Sequence, residues 1–224
     1  MEKKKVLLLV GSPAKSKSTS NSIGEYILDN LDENVYDREI MHLYSVHNSE
    51  EKLNLLLARI NDVDLLIISA PLYVDTTPAV VIRVLQAIHK FRMENKPTKE
   101  QRMLAISNSG FPEYIHNVNH ISVYENFAKQ AGFTWLGGIP FGMGGIISGK
   151  SLVNVKGMVK KLVKGLDILV SRIDEPNPVN EDVLKLVTKK SIPNWLYRFV
   201  ANMNWNKVLK KNKVKKHVYD KPFA

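Results

Sequence analysis

Cysteine is absent from this 224-residue chain. That excludes disulfides, iron–sulfur clusters, thiol nucleophiles and thiolate zinc sites. It also fits a reducing compartment, so a cytoplasmic location is expected. Long apolar runs are missing too: "VLLLV", after the basic start "MEKKK", is too short for a signal peptide's apolar region or a membrane span. Glycine is scarce where nucleotide fingerprints need it. No Gly-Lys-Ser/Thr ending is present, and only Gly11 precedes the first helical pattern, so neither the Walker loop nor the three-glycine dinucleotide loop can be built. Acids are nearly missing from the C-terminus. Residues 185–224 hold 11 Lys/Arg against Asp220 alone, whereas residues 1–184 hold 21 bases and 21 acids. The formal net charge of +10 therefore belongs to a tail on a neutral body, which argues against a nucleic-acid-binding core.

What is present is an alternation. Apolar runs at 5–10, 64–70, 102–109 and 133–142, with a more exposed run at 34–41, read as five strands. Helical patterns at 20–31, 49–62, 78–91, 116–132 and 152–173 follow them in turn. Near-continuous apolar strands separated by helices imply a parallel sheet covered on both faces, a doubly wound α/β sandwich. The turn-rich "DEPNPVNED" (174–182) ends that pattern. One domain over 1–175 is expected, with a helical, basic extension over 176–224.

Ligands of such sheets bind where loops leave the carboxyl ends of the strands, so three loops matter. The first, "GSPAKSKSTSN" (11–21), places Ser and Thr at a helix start, where unpaired N–H groups and the positive helix end attract phosphate. Ser12, Ser18, Thr19 and Ser20 add hydroxyls; Lys15 and Lys17 add charge. Without glycines for close approach to a pyrophosphate, the loop favours a mononucleotide. The second, "SAPLYVDTTPA" (69–79), is stiffened by Pro71 and Pro78 and offers Tyr73 as an aromatic face. The third, "SNSGFPEY" (107–114), presents Asn108, Ser109 and Gly110 to a heterocycle, with Phe111 a second aromatic. Gly110 is expected to use backbone angles closed to other residues. Glu113 reads as a helix-start charge or a contact to the ring edge. The glycines of 137–149 read as a tight loop after the last strand, bordering a substrate site.

In this order the three loops resemble those of the flavodoxin-like NAD(P)H-dependent FMN reductase and quinone reductase family, with the likeness covering roughly 4–173. The resemblance implies a flavodoxin-like five-stranded parallel sheet of order 2-1-3-4-5 and FMN as cofactor. It implies that Ser12, Ser18, Thr19 and Ser20 hold the FMN phosphate. Pro71, Leu72, Tyr73 and Val74 would lie along the isoalloxazine, and Asn108, Ser109, Gly110 and Phe111 would contact its pyrimidine side. NAD(P)H would be the hydride donor and a small molecule such as a quinone, free flavin, nitro or azo compound the acceptor. Many relatives carry Arg and Asn inside the first loop, where "AKSKS" stands here with Lys15 or Lys17 for the charge. A flavin carries this chemistry itself, so no side chain is nominated as catalytic.

His116 and His120, four apart on a predicted helix, read as surface histidines, with no metal site expected. The tail mixes Trp195, Tyr197, Phe199 and Trp205 with lysines. It can lie on an anionic membrane or nucleic acid, or it can pack on the body or a second subunit with its lysines in solvent. Packing in a homodimer is the preferred expectation, since relatives carry similar extensions and commonly oligomerise; no nucleic-acid partner is expected. Two other functions remain: a flavodoxin-type electron carrier, disfavoured because such carriers are usually acidic, and a flavin-free module acting through the tail.

Overall fold

A computed structural model describes residues 2–155 and 157–220. Five parallel strands form one sheet: β1 (Lys4–Val10), β2 (Tyr36–His42), β3 (Leu65–Pro71), β4 (Arg102–Asn108) and β5 (Thr134–Phe141). Their spatial order is β2-β1-β3-β4-β5, the flavodoxin-like order expected. The helices are α1 (Thr19–Asp29), α2 (Leu43–Val46), α3 (Glu50–Ile60), α4 (Ala79–Glu94), α5 (Val118–Gln130), α6 (Lys160–Ser171), α7 (Glu181–Val187) and α8 (Asn194–Lys211).

The period of two along each strand explains the two-sided sandwich. Val6, Leu8 and Val10 of β1 join Ile67 of β3 and Leu104 of β4 in a core shared with Ile23 and Ile27 of α1 and Leu166 of α6. Leu7 and Leu9 point the other way, with Leu66, Ile68 and Met103, into a core shared with Leu56 of α3, Ile88 of α4 and Tyr124 of α5. A strand covered on both sides has no polar face to show, which is why β1 and β3 read as unbroken apolar runs.

One helix is shorter than its periodicity suggests. The pattern at 152–173 predicts a single helix, but α6 begins only at Lys160. Leu152, Val155 and Val159 are buried at helical spacing, yet they are carried by successive turns such as Val155 N to Leu152 O and Met158 N to Val155 O. Isolated turns, i to i+3 at Leu152 and i to i+4 from Val155 to Val159 (3.2 Å), bury the same positions as a helix, so apolar spacing alone does not separate the two.

By its contacts the chain divides into two compact units, Met1–Ser191 and Ile192–Ala224. The first unit includes α7, whose Val183 and Val187 join the α1–α6 core together with Val179. The second holds α8.

Candidate active site

The carboxyl ends of β1, β3 and β4 lie side by side, and a set of buried hydrogen bonds sews their loops together. Gly11 N donates to Ser69 O at 2.8 Å, and Leu72 N to Asn108 O at 2.8 Å. Ser69 Oγ donates to Ser20 O at 2.8 Å. Asn108 Nδ2 donates to Ser20 Oγ at 2.7 Å and to Ala70 O at 3.3 Å, tying the third loop to the first and the second. A fourth segment, 142–149, closes the ring: Gly144 N donates to Ser109 O at 2.8 Å, and Thr19 Oγ1 to Gly144 O at 2.9 Å. Gly149 explains itself here. Its φ is +74°, and a Cβ would sit 2.3 Å from Lys17 O, so only glycine lets this segment lie against the first loop.

The first loop's hydroxyls are largely engaged in building it. Ser18 caps α1 by accepting from Asn21 N at 3.1 Å, and gives its own proton to Lys15 O at 2.6 Å. Ser12 is buried and Ser20 is 1% exposed. The amides tell a different story. Among the described residues, the N–H groups of Thr19 and Ser20 donate to no acceptor, as the first turn of a helix requires. Exposed Lys15 and Lys17 flank that turn. Unpaired amides, a positive helix end and two lysines form a donor set suited to a phosphate dianion.

In the second loop Tyr73 and Thr76 bond each other's backbone at 2.9 and 3.1 Å across a two-residue turn. Its central residues, Val74 (φ 48°) and Asp75 (φ 59°), are both left-handed. A β-branched residue held there, 96% exposed and so with no packing to hold it, is strained. In the third loop Asn108 and Ser109 are buried while Phe111 is exposed, its ring 4.6 Å from that of His116. Gly110 departs from expectation: its φ is not positive, and a Cβ would meet nothing within 4 Å. Its smallness leaves space and serves no special backbone angle. Glu113 pairs with Lys190 at 3.2 Å, so it does not present a free charge to the ring edge.

The histidine reading needs correction. His116 is exposed, but His120 is 0% exposed and lies within a polar chain that composition does not reveal. The Phe141 carbonyl can only accept, so it fixes Asn117 with Nδ2 toward Phe141 O (3.2 Å) and Ser109 Oγ (3.0 Å). Asn117 Oδ1 then takes the Ser107 proton at 2.8 Å. Ser107 must in turn accept from His120 Nδ1–H at 2.7 Å. His120 Nε2, left as acceptor, takes the Tyr124 proton at 2.7 Å, and Tyr124 accepts from Thr77 Oγ1 at 2.7 Å. Burial lowers the His120 pKa to about 4, so the ring is neutral, as this proton order demands. The chain runs from Thr77 in the second loop to Ser109 in the third. The sequence signal available was His-x-x-x-Tyr at one-turn spacing on α5, which puts both rings on the face turned to the sheet.

Residues 4–120, more than half of the chain, match the family model for NADPH-dependent FMN reductase. The chain belongs to this family. An FMN reductase of this kind is a flavin oxidoreductase, with FMN as cofactor and NAD(P)H as co-substrate. Solved structures carry the fold likeness further along the chain. An NADH:FMN oxidoreductase in its apo form superposes with a TM-score of 0.57 at 13% identity, covering 86% of this chain and 98% of its own. A putative quinone reductase from Klebsiella pneumoniae gives 0.56 at 13%, covering 79% and 87%. An FMN-dependent NADH-azoreductase from Bacillus anthracis, solved with FMN, gives 0.53 at 16%, covering 76% and 99%. No curated protein sequence matches this reductase.

Proposed function

We propose that this FMN reductase holds the flavin phosphate on the Thr19 and Ser20 amides at the start of α1, with Ser12 and Ser18 shaping the loop and Lys15 or Lys17 supplying charge. Pro71, Leu72, Tyr73 and Val74 lie along the isoalloxazine, and Asn108, Ser109, Gly110 and Phe111 meet its pyrimidine edge. The observation that carries this reading is the Asn108 Nδ2 bond to Ser20 Oγ, which brings the phosphate loop and the ring loop together in one rigid cluster. Bound FMN supplies hydride acceptance from nicotinamide and onward transfer to the acceptor. This chain's residues bind and orient. Asn117 donates to Ser109 Oγ and so leaves the Ser109 proton free for a carbonyl of the ring. Exposed Tyr73 and Phe111 give a planar acceptor two aromatic surfaces. A small quinone, free flavin, nitro or azo compound suits that open face, as do the substrates named for the solved azoreductase and quinone reductase.

The same reading makes the protein cytoplasmic, in keeping with its lack of cysteine, and a homodimer. The exposed groove between α4 and α5, lined by Ile82, Leu85, Val123 and Phe127, offers apolar surface for the second copy. The deciding experiment is a visible absorption spectrum with FMN, before and after anaerobic NADPH or NADH. Bound flavin that bleaches with either nucleotide is the expected result. Flavin that binds but does not bleach would support an electron carrier instead, and failure to bind FMN would overturn the reading.

A further inference from the structure

Asn117 is fully buried behind the loop that follows β4, and its amide is held in one orientation from both ends. Nδ2 donates to Phe141 O at 3.2 Å and to Ser109 Oγ at 3.0 Å, while Oδ1 accepts from Ser107 Oγ at 2.8 Å. Turning the amide over would set Oδ1 against the Phe141 carbonyl, two acceptors face to face. It would also drive the Ser107 proton onto His120 Nδ1 and reverse the bonds through Tyr124 to Thr77. In a buried site such a mismatch is costly, so the amide stays as it is.

The consequence falls on Ser109. A hydroxyl has one proton to give, and here its oxygen already accepts from Asn117. Among the described residues the Ser109 hydroxyl donates to no acceptor, and the residue keeps 6% exposure at the carboxyl end of β4. The atom behind it is a donor, so the proton has no use on the buried side and is left to the open one. Two-electron reduction adds negative charge to the pyrimidine edge of a flavin. Hydrogen bonds to a charged acceptor are roughly twice as strong as those to a neutral one. A hydroxyl that can only donate to that edge therefore holds the reduced ring more tightly than the oxidised ring.

We propose that Asn117 is a positioning residue for the flavin reaction: by donating to Ser109 Oγ it commits that hydroxyl to donate to the ring, and so raises the reduction potential of the bound flavin. This role rests on the flavin placement proposed above and goes beyond it, because a buried amide acting through Ser109 then sets how readily the cofactor accepts a hydride. All the groups involved lie within the unit Met1–Ser191.

The test is the midpoint potential of FMN bound to the full chain, set by anaerobic equilibration with a reference dye, together with the Kd for oxidised FMN. Ser109→Ala removes the donor. It should weaken binding of reduced relative to oxidised flavin roughly tenfold, a fall of about 30 mV for two electrons. Asn117→Asp puts an acceptor where the amide donated, so the Ser109 proton turns away from the ring and a similar fall of about 30 mV is expected. In the Ser109→Ala background the same change should add less than about threefold. Asn117→Leu frees the hydroxyl without reversing it and adds no charge. A fall of roughly threefold is expected, and this variant decides the matter if far-UV circular dichroism shows Asn117→Asp to be unfolded. A merely structural role would weaken oxidised and reduced FMN alike and leave the potential unmoved. A potential that falls in Ser109→Ala but in neither Asn117 variant overturns the proposal and leaves the flavin placement standing. So does an Asn117→Asp shift that persists at full size without Ser109. With FMN bound, no shift in Ser109→Ala would take the ring edge away from Ser109, and failure to bind FMN would remove the site; either result overturns both.

Discussion

The Tyr124 hydroxyl lies 2.7 Å from His120 Nε2, one helical turn away, and both residues are fully buried. Since Thr77 donates to the same hydroxyl at 2.7 Å, this pair links the loop after β3 to the core of α5 and, through Ser107 and Asn117, to Ser109. The FMN reductase thus has two loops of its proposed flavin site braced from behind by one ordered line of protons.

Tyr124→Phe removes one oxygen and leaves two buried groups, His120 Nε2 and Thr77 Oγ1, without their partner. The expected cost is about 1–3 kcal/mol, read from the midpoint of urea unfolding at neutral pH. Thr77→Val, which removes only the outer donor, should cost less. A larger loss for the threonine change would contradict the proton order described.

The buried imidazole makes stability depend on pH in a stated direction. The His120 pKa falls from 6.5 to about 4 on folding because burial disfavours the charged ring. As pH drops through 6.5 the unfolded chain takes up this proton and the folded chain does not, so stability is lost until about pH 4. The group accounts for about 3 kcal/mol across that window. In His120→Gln the slope of unfolding free energy against pH between 6.5 and 4 should flatten by that amount. An unchanged slope would show that another group governs it.

Asn108→Ala breaks the bonds to Ser20 Oγ and Ala70 O at once. The loops after β1 and β4 then lose their shared brace, and with the flavin held as proposed its dissociation constant should rise roughly tenfold, about 1.4 kcal/mol. Equilibrium dialysis against FMN measures this directly. Retained affinity would place the flavin away from these two loops.

Val74→Asn relieves a left-handed β-branched residue that makes no packing contact worth keeping. Stability should rise by about 1 kcal/mol in thermal unfolding. If the valine side chain meets the acceptor, KM for a quinone should rise while reduction of bound flavin by NADPH is unchanged. No stabilisation would mean that the turn is relaxed by motion of its exposed tip.

The strand pattern, the alternation with helices and the positions of the three loops were legible in the amino-acid sequence. Each follows from short-range physics: buried strands need unbroken apolar runs, and Ser18 and Ser49 mark the starts of α1 and α3 by capping their first turns. "VLLLV" and "DLLIISA" could hardly be anything else. Other features depended on what meets what in space. Leu152, Val155 and Val159 share the spacing of a helix but are carried on turns, because burial fixes which residues point inward and not the backbone path between them. His120 looks like its neighbour His116 in sequence, and only the packing of α5 against the sheet puts one in the core and the other in water. Gly149 and Lys17 are 132 positions apart, and their contact exists only once β5 has closed beside β4. Local propensity determined the elements of this reductase; the buried proton line and the glycine contact arose from long-range packing, which no local pattern encodes.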